Sequence, residues 1–382
     1  MVVMVLSNGL LVTVTNMTKI FLLGEAKGQN EAKINSCFVG TSGVALLRML
    51  DDAKVISLSW DDKQNINAFY TDNDPALIDL VWAMHPHIHR TNVFQIHPPG
   101  NDLGFFCGPK TEGIPGYPAL ATSKYVRKEF QSELDRLGDE LLEHDPNLVI
   151  ALGNCALWAM CGMTGISKVR GATRISTHTV EGFKVLPTYH PSAVNRQWEL
   201  RPTTVADLIK AKREASSPEL IRPEREIWVE PTIEDIKEFT ETYIKGCDLL
   251  SVDIETSGKF ITCIGFAPSV DRAIVIPFEH PQRKGHNYWE TKAEEVLVWK
   301  LIKEIIENRG VPKLFQNGLY DISFMIKAYG IRTYGAAEDT MLLQHALQPE
   351  ALKGLGYLGS IYTDEGAWKH EHKRQATIKK GN

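Results

Sequence analysis

An α/β fold in two domains is what this 382-residue sequence predicts. Three observations carry it. Short apolar strands alternate with helix-patterned segments in both halves, a charged stretch with two prolines divides them, and no apolar run looks membrane-spanning. An apolar share of 43% and a charged share of 23% are those of an ordinary globular protein with material for real cores. Such a length predicts two or three domains, and the composition shift places two.

The opening MVVMVLSNGLLVTVTNMTK is apolar but lacks a basic leader and is broken by Ser7, Asn8 and Gly9. It reads as a strand or hairpin rather than a signal peptide, an N-terminal extension over 1–16 with Met17 as an alternative start. KIFLLGEA, RTNVFQIH, PNLVIALG and FKVLPTYH then read as strands of a first domain over 17–215, which closes with the helical TTVADLIKAKREA. SSPELIRPERE, with Pro218 and Pro223, is a linker over 216–226. The second domain, 227–382, opens with the strand-like REIWVE. LLSVDIET, FITCIGFAP and AIVIPF follow as a meander, then a helix over 291–308 and a strand leading into a helix over 313–331.

The net charge of −5 gives no global attraction to nucleic acid, so any DNA contact must come from local basic patches. The basic residues Lys369, Lys373, Arg374, Lys379 and Lys380 either track DNA or solvate a chain end. Six cysteines without a CxxC pair or a ligand ladder fit a reducing, cytoplasmic setting.

Three clusters carry chemistry in the first domain. Glu25 stands where the strand KIFLLGEA meets a glycine-bounded loop, the usual place for an α/β site. RTNVFQIHPPGND ends a strand in an Asn- and Pro-rich loop at Asn92, and VLPTYHPSAVNR ends one at His190, Pro191 and Ser192. Any one of these residues alone is as well explained by a turn or a core. With FVGTSG, PNLVIALGNCALWAMCG and the Arg-Gly of SKVRG, in this order across about 24–195, the clusters resemble the uracil-DNA glycosylase superfamily in its bacterial and phage branches.

The resemblance implies a three-layer parallel-sheet domain that extrudes a base and cuts its N-glycosidic bond. By family position Glu25 would orient or activate the attacking water and Phe38 would stack on the uracil ring. Asn92 would read the edge of the base, and His190 would stabilise charge developing on the uracil oxygen. Ser192 would sit near a phosphate, and residues from Ala193 to Arg196 would form the wedge that fills the vacated stack. Two departures stand out: Lys27 replaces the usual proline of the first motif, and the family's spaced iron–sulfur cysteines have no counterparts, so no cluster is expected.

In LLSVDIETSG the acids Asp253 and Glu255 share one face of a strand whose other face is Leu250, Val252 and Ile254. Two neighbouring carboxylates repel unless solvent, a cation or a shared proton relieves them, which marks either a metal site or an edge strand with one wet face. A third acid, Asp321, opens a helix four residues after Asn317. VDIET, QNGLYDISFM, EDTMLLQHAL and LKGLGYLGSIYTDEGAWK, in order, resemble the 3′-5′ proofreading exonuclease domain of family A DNA polymerases.

That resemblance implies a ribonuclease H-like mixed sheet and a site in which Asp253, Glu255 and Asp321 bind Mg²⁺ or Mn²⁺. Asn317 would lie nearby, Thr256 would meet the terminal nucleotide, and Asp339 would serve structure. The family's late tyrosine and its aspartate four residues on are missing: Tyr362 is followed at that spacing by Gly366, and Asp364 precedes the expected motif. The expectation is a phage or bacterial replication and repair protein that acts on DNA. Its exonuclease domain would be incomplete at the C-terminus, with a separate polymerase chain as a candidate partner and the bacterial host's cytoplasm as its place. The alternative is a DNA-binding module that keeps both folds without activity. A general nucleotide-binding enzyme is disfavoured, because no complete GxGxxG or phosphate-loop signature occurs.

Overall fold

The structure, a computed structural model, describes residues 2–5, 11–14, 19–283 and 285–363. The basic tail from Lys369 to Lys380 and Asp364 lie outside the described residues. The described chain forms two compact units, one of residues up to Leu220 together with residues 359–363, the other Ile221–Leu358. Val2–Val5 and Leu11–Val14 pair as an antiparallel hairpin, as the interrupted apolar pattern predicts. No helix among the described residues is long and apolar enough to cross a membrane.

The first unit is built on a five-stranded sheet in the order Ile88–Phe94, Ile20–Ala26, Leu148–Leu152, Lys184–Thr188, Arg174–Ile175. All pairings are parallel except the last. A parallel sheet is covered on both faces, so its strands are continuous apolar runs and their alternation sorts residues between two cores. Ile20, Leu22, Ile150 and Leu186 pack with Leu46, Leu47 and Leu208 in one core. Phe21, Leu23, Val149 and Val185 pack with Leu137, Leu141 and Trp158 in the other. The result is helix, sheet, helix in three layers. From Ile20–Ala26 the chain crosses first to Ile88–Phe94 on one side and then to Leu148–Leu152 on the other. Crossovers that leave a strand on opposite sides open a crevice at its carboxyl end, which is where Glu25 sits on Ile20–Ala26.

The second unit has a six-stranded mixed sheet in the order Glu226–Val229, Arg272–Pro277, Phe260–Ala267, Leu250–Ser257, Lys313–Phe315, Ala336–Asp339. Leu250–Ser257, Phe260–Ala267 and Arg272–Pro277 form an antiparallel meander, and Lys313–Phe315 and Ala336–Asp339 add parallel strands on its far side. This is a ribonuclease H-like order with Glu226–Val229 appended parallel to the outer edge. The predicted helix runs over Lys292–Glu307, opened by Thr291, whose hydroxyl accepts from the Glu294 amide while the Glu294 carboxylate accepts from the Thr291 amide. Its Val298, Ile302 and Ile306, spaced for one helix face, pack with Ile254, Ile264, Ile276 and Met325.

Candidate active sites

In the first unit the strand Ile20–Ala26 delivers Gly24 and Glu25 to the crevice, and two glycines let the site close. A methyl on Gly24 would lie 2.1 Å from Asn92 Oδ1 and 2.7 Å from Phe38 Cζ, so any side chain there would displace both. Gly153 opens the helix Gly153–Cys161 with φ +88°, and a methyl on it would lie 2.6 Å from Glu25 Oε1 and 3.0 Å from His190 Cβ. Glu25, Phe38, Asn92 and His190, from four separate segments, are thereby brought to one place, with the Phe38 and His190 ring centres 6.5 Å apart. Replacing Gly153 by alanine should cost about 1–3 kcal/mol of stability, read as a lowered urea midpoint, because the backbone stays left-handed and Glu25 must move.

Phe38 itself is held at φ +56°, unusual for a bulky residue. Its amide donates to Glu31 Oε1 at 2.5 Å, its carbonyl accepts from the Trp82 indole at 2.9 Å, and Gly43 leaves room for that carbonyl. Glu31, itself buried, also accepts from the Gly28 amide at 2.8 Å and from Asn92 Nδ2 at 3.3 Å. One carboxylate therefore sets both base-contacting candidates, Phe38 and Asn92. The one signal of Glu31 in the sequence is its place three residues after Gly28 at a helix start, the spacing of a residue that reaches back to cap. Phe38 and Asn92 are each only 1% exposed, so a ligand reaches them only if the crevice widens.

His190 caps the helix Pro191–Arg196. Its Nδ1 accepts from the Ser192 amide at 3.2 Å and lies 2.8 Å from Ser192 Oγ. A ring nitrogen that accepts from a main-chain N–H carries no proton, so the neutral ring bears its hydrogen on Nε2. Ser192, expected near a phosphate, is directed at His190 through both its amide and its hydroxyl. Within the expected wedge Val194 is fully buried in the core, which leaves Asn195 and Arg196 at the surface. Lys27, at the departure from the family motif, is buried and bonds Asn35 Oδ1.

In the second unit Leu250, Val252 and Ile254 are buried while Asp253 and Glu255 are exposed together on the other face. The strand is central, flanked by Phe260–Ala267 and Lys313–Phe315, so an edge position does not account for its acids. A register shift between Glu255 and Thr256 ends the regular pairing there. Asp321, in the first turn of Gly318–Tyr329, is 4% exposed and accepts from the Ile254 amide at 3.1 Å. Burial and the charges of Asp253 and Asp339 push its carboxyl up to about 6 against the opposing pull of that amide. Thr256 and Tyr320 share a 2.6 Å hydroxyl contact, and Asn317 stands at φ +60° just before the helix. Asp339 is structural: it accepts from the amides of Asn317 and Gly318 and from those of Met341 and Leu342, fixing two helix starts. Among the described residues no three His, Cys, Asp or Glu side chains are gathered closely enough to hold a metal ion. The donor set nonetheless suits a hard divalent cation, since its repulsions are those a cation would relieve.

The first unit is thus a three-layer, mostly parallel sheet with a polar site at its switch point, and the second a ribonuclease H-like sheet with an acidic face. The chain belongs to the uracil DNA glycosylase superfamily, whose sequence model matches residues 13–213, more than half of its length. A 3′-5′ exonuclease family matches residues 230–377. Over 201 residues, 52% of this chain and 72% of the relative, it is 26% identical to the type-4 uracil-DNA glycosylase of Saccharolobus solfataricus. Over 252 residues, 59% of this chain, it is 23% identical to the DNA polymerase of Bacillus phage SP01, of which it spans about a quarter (27%). Brucella melitensis NrnC with bound Mg²⁺ is similar at a TM-score of 0.26 and 18% identity, over 37% of this chain and 62% of that one.

Proposed function

We propose that the first unit excises uracil or a related damaged base from DNA, and that the second hydrolyses DNA from its 3′ end with Mg²⁺ or Mn²⁺. The observation that carries the first part is the convergence of Glu25, Phe38, Asn92 and His190 between Gly24 and Gly153. In this reading Phe38 stacks on the base, Asn92 reads its edge, His190 Nε2 donates to the uracil oxygen and Glu25 faces the sugar to orient or activate water. Arg196 and Ser192 border the DNA path.

For the second unit, Asp253, Glu255 and Asp321 would hold the metal ions, which supply an activated water and stabilise the leaving oxygen when bound. Thr256 and Asn317 flank the place of the terminal nucleotide. The likeness to a phage DNA polymerase supports a role as the front part of a replication and repair enzyme in the host cytoplasm, whose polymerase portion is joined to it or carried by a separate chain.

The deciding assay is release of uracil from single- and double-stranded oligonucleotides, read as alkali-labile sites. Glu25→Ala should lower the rate by about 10²- to 10⁴-fold. Wild-type protein that releases no uracil from any strand leaves the inactive DNA-binding module as the reading to adopt.

A further inference from the structure

The two ends of the Asn92 side-chain amide meet different surroundings. Its backbone is set by pairing with Gly24 in the sheet and by Arg136, whose guanidinium donates to the Asn92 carbonyl at 2.8 Å. Nδ2 lies 3.3 Å from Glu31 Oε2 and 3.5 Å from Cys37 Sγ, two acceptors for its two hydrogens. Oδ1 lies over Gly24, where a methyl would meet both it and the edge of the Phe38 ring. Among the described residues no donor reaches Oδ1. A polar atom of so buried a residue is rarely left without a partner, and here the missing partner is a donor.

Which end of an amide faces which way is decided by its neighbours, and at Asn92 the deciding neighbour is Glu31. Glu31 Oε1 accepts from the Phe38 amide at 2.5 Å and Oε2 from the Gly28 amide at 2.8 Å. Main-chain amides can only donate, so both carboxylate oxygens are held as acceptors. The NH₂ of Asn92, and not its oxygen, must turn to them. What Asn92 offers the crevice is therefore an acceptor alone.

We propose that Glu31 is a positioning residue for base selection: by locking Asn92 with its oxygen towards the crevice, it makes the first unit select bases that bring a ring N–H to that point. The inference rests on the reading of Phe38 and Asn92 as base contacts and adds which edge group is read. Uracil carries such a donor at N3. Cytosine carries a bare ring nitrogen there, acceptor against acceptor, and its exocyclic amine lies one atom further along the edge. Because the hydrogens of Asn92 are engaged within the protein, the uracil carbonyl beside N3 is not read by this side chain.

The test is binding of the full chain, in EDTA, to single strands that carry one nucleotide with uracil, N3-methyluracil or cytosine as its base. That nucleotide is fluorinated at C2′, which disfavours the oxocarbenium-like transition state and keeps the strand intact. Wild-type protein should bind the uracil strand tighter than either of the others by roughly tenfold or more, read as Kd by fluorescence anisotropy. Glu31→Gln replaces one acceptor oxygen by an NH₂ at nearly constant shape and lets Asn92 turn its own NH₂ to the crevice. It should cut the preference for uracil over cytosine by roughly tenfold or more while the cytosine strand is held as tightly as before. A loss of structure would instead weaken both strands alike. The N3-methyluracil arm needs no variant and serves if Glu31→Gln fails to fold. The proposal is overturned by equal wild-type binding of the uracil and N3-methyluracil strands, by an unchanged preference in Glu31→Gln, or by equal weakening of both strands in it. Release of uracil from an unfluorinated strand by the same preparations separates this proposal from excision itself. A wild type that releases uracil while Glu31→Gln keeps its preference refutes the role of Glu31 alone, and one that prefers the uracil strand yet releases nothing refutes excision and leaves the selection standing.

Discussion

His190→Ala is expected to lower the rate of uracil release by about 10²- to 10³-fold while leaving DNA binding nearly unchanged, measured as single-turnover rates at saturating enzyme and as Kd for an uncleavable strand. The size follows from the place proposed for the histidine. Breaking an N-glycosidic bond moves negative charge onto the uracil oxygens, and a donor aimed there counts in the transition state far more than in the ground state. The Ser192 amide and hydroxyl at Nδ1 fix the ring so that its hydrogen lies on Nε2. His190→Gln can still donate but loses the orientation imposed through Nδ1, and should fall between the two. Ser192→Ala keeps the amide bond and loses only the hydroxyl, so a loss of several-fold is expected. If His190→Ala weakens DNA binding and rate equally, the residue holds the strand and does not act on the leaving base.

What could be read from the sequence follows the range of the interactions involved. Alternation in LLSVDIETSG sorts Leu250, Val252 and Ile254 from Asp253 and Glu255 because side-chain direction along a strand is local. The position of that strand inside its sheet is not encoded in the alternation, since periodicity names faces and not neighbours; only the pairings with Phe260–Ala267 and Lys313–Phe315 exclude an edge. Glu25, Asn92 and His190 each stand at or near a strand end and could be named. Trp82 could not, and Glu31 only as a residue that reaches back to cap its helix, because their hold on Phe38 depends on a left-handed turn that no hydrophobic pattern encodes. Val194 lay in a segment read as a surface wedge, yet it faces the core: a six-residue helix turns one side inward whatever its ends do.

Asp321→Asn should separate stability from activity in the second unit. At pH 7 to 8 without divalent metal the variant is expected to be more stable by about 1–2 kcal/mol, read from the urea midpoint. The wild-type carboxyl is pushed up to about 6 by burial and by Asp253, whereas in the unfolded chain it titrates near 3.8. Between those values the folded state holds a proton that the unfolded state has lost, so this group's contribution falls as pH rises toward 6 and stays low above it. An amide carries no charge to bury and can still accept from the Ile254 amide, so it escapes that penalty. Mg²⁺ or Mn²⁺ should raise the wild-type midpoint and not the variant's, because the cation offsets the repulsion that the substitution has removed. Degradation of a labelled 3′ end, where the wild type shows it, should then be lost in Asp321→Asn as in Asp253→Ala. An Asp321→Asn protein less stable than wild type under metal-free conditions would mean that the ionised carboxylate is held by a favourable contact, and the case for a cation at this acidic face would lose its electrostatic support.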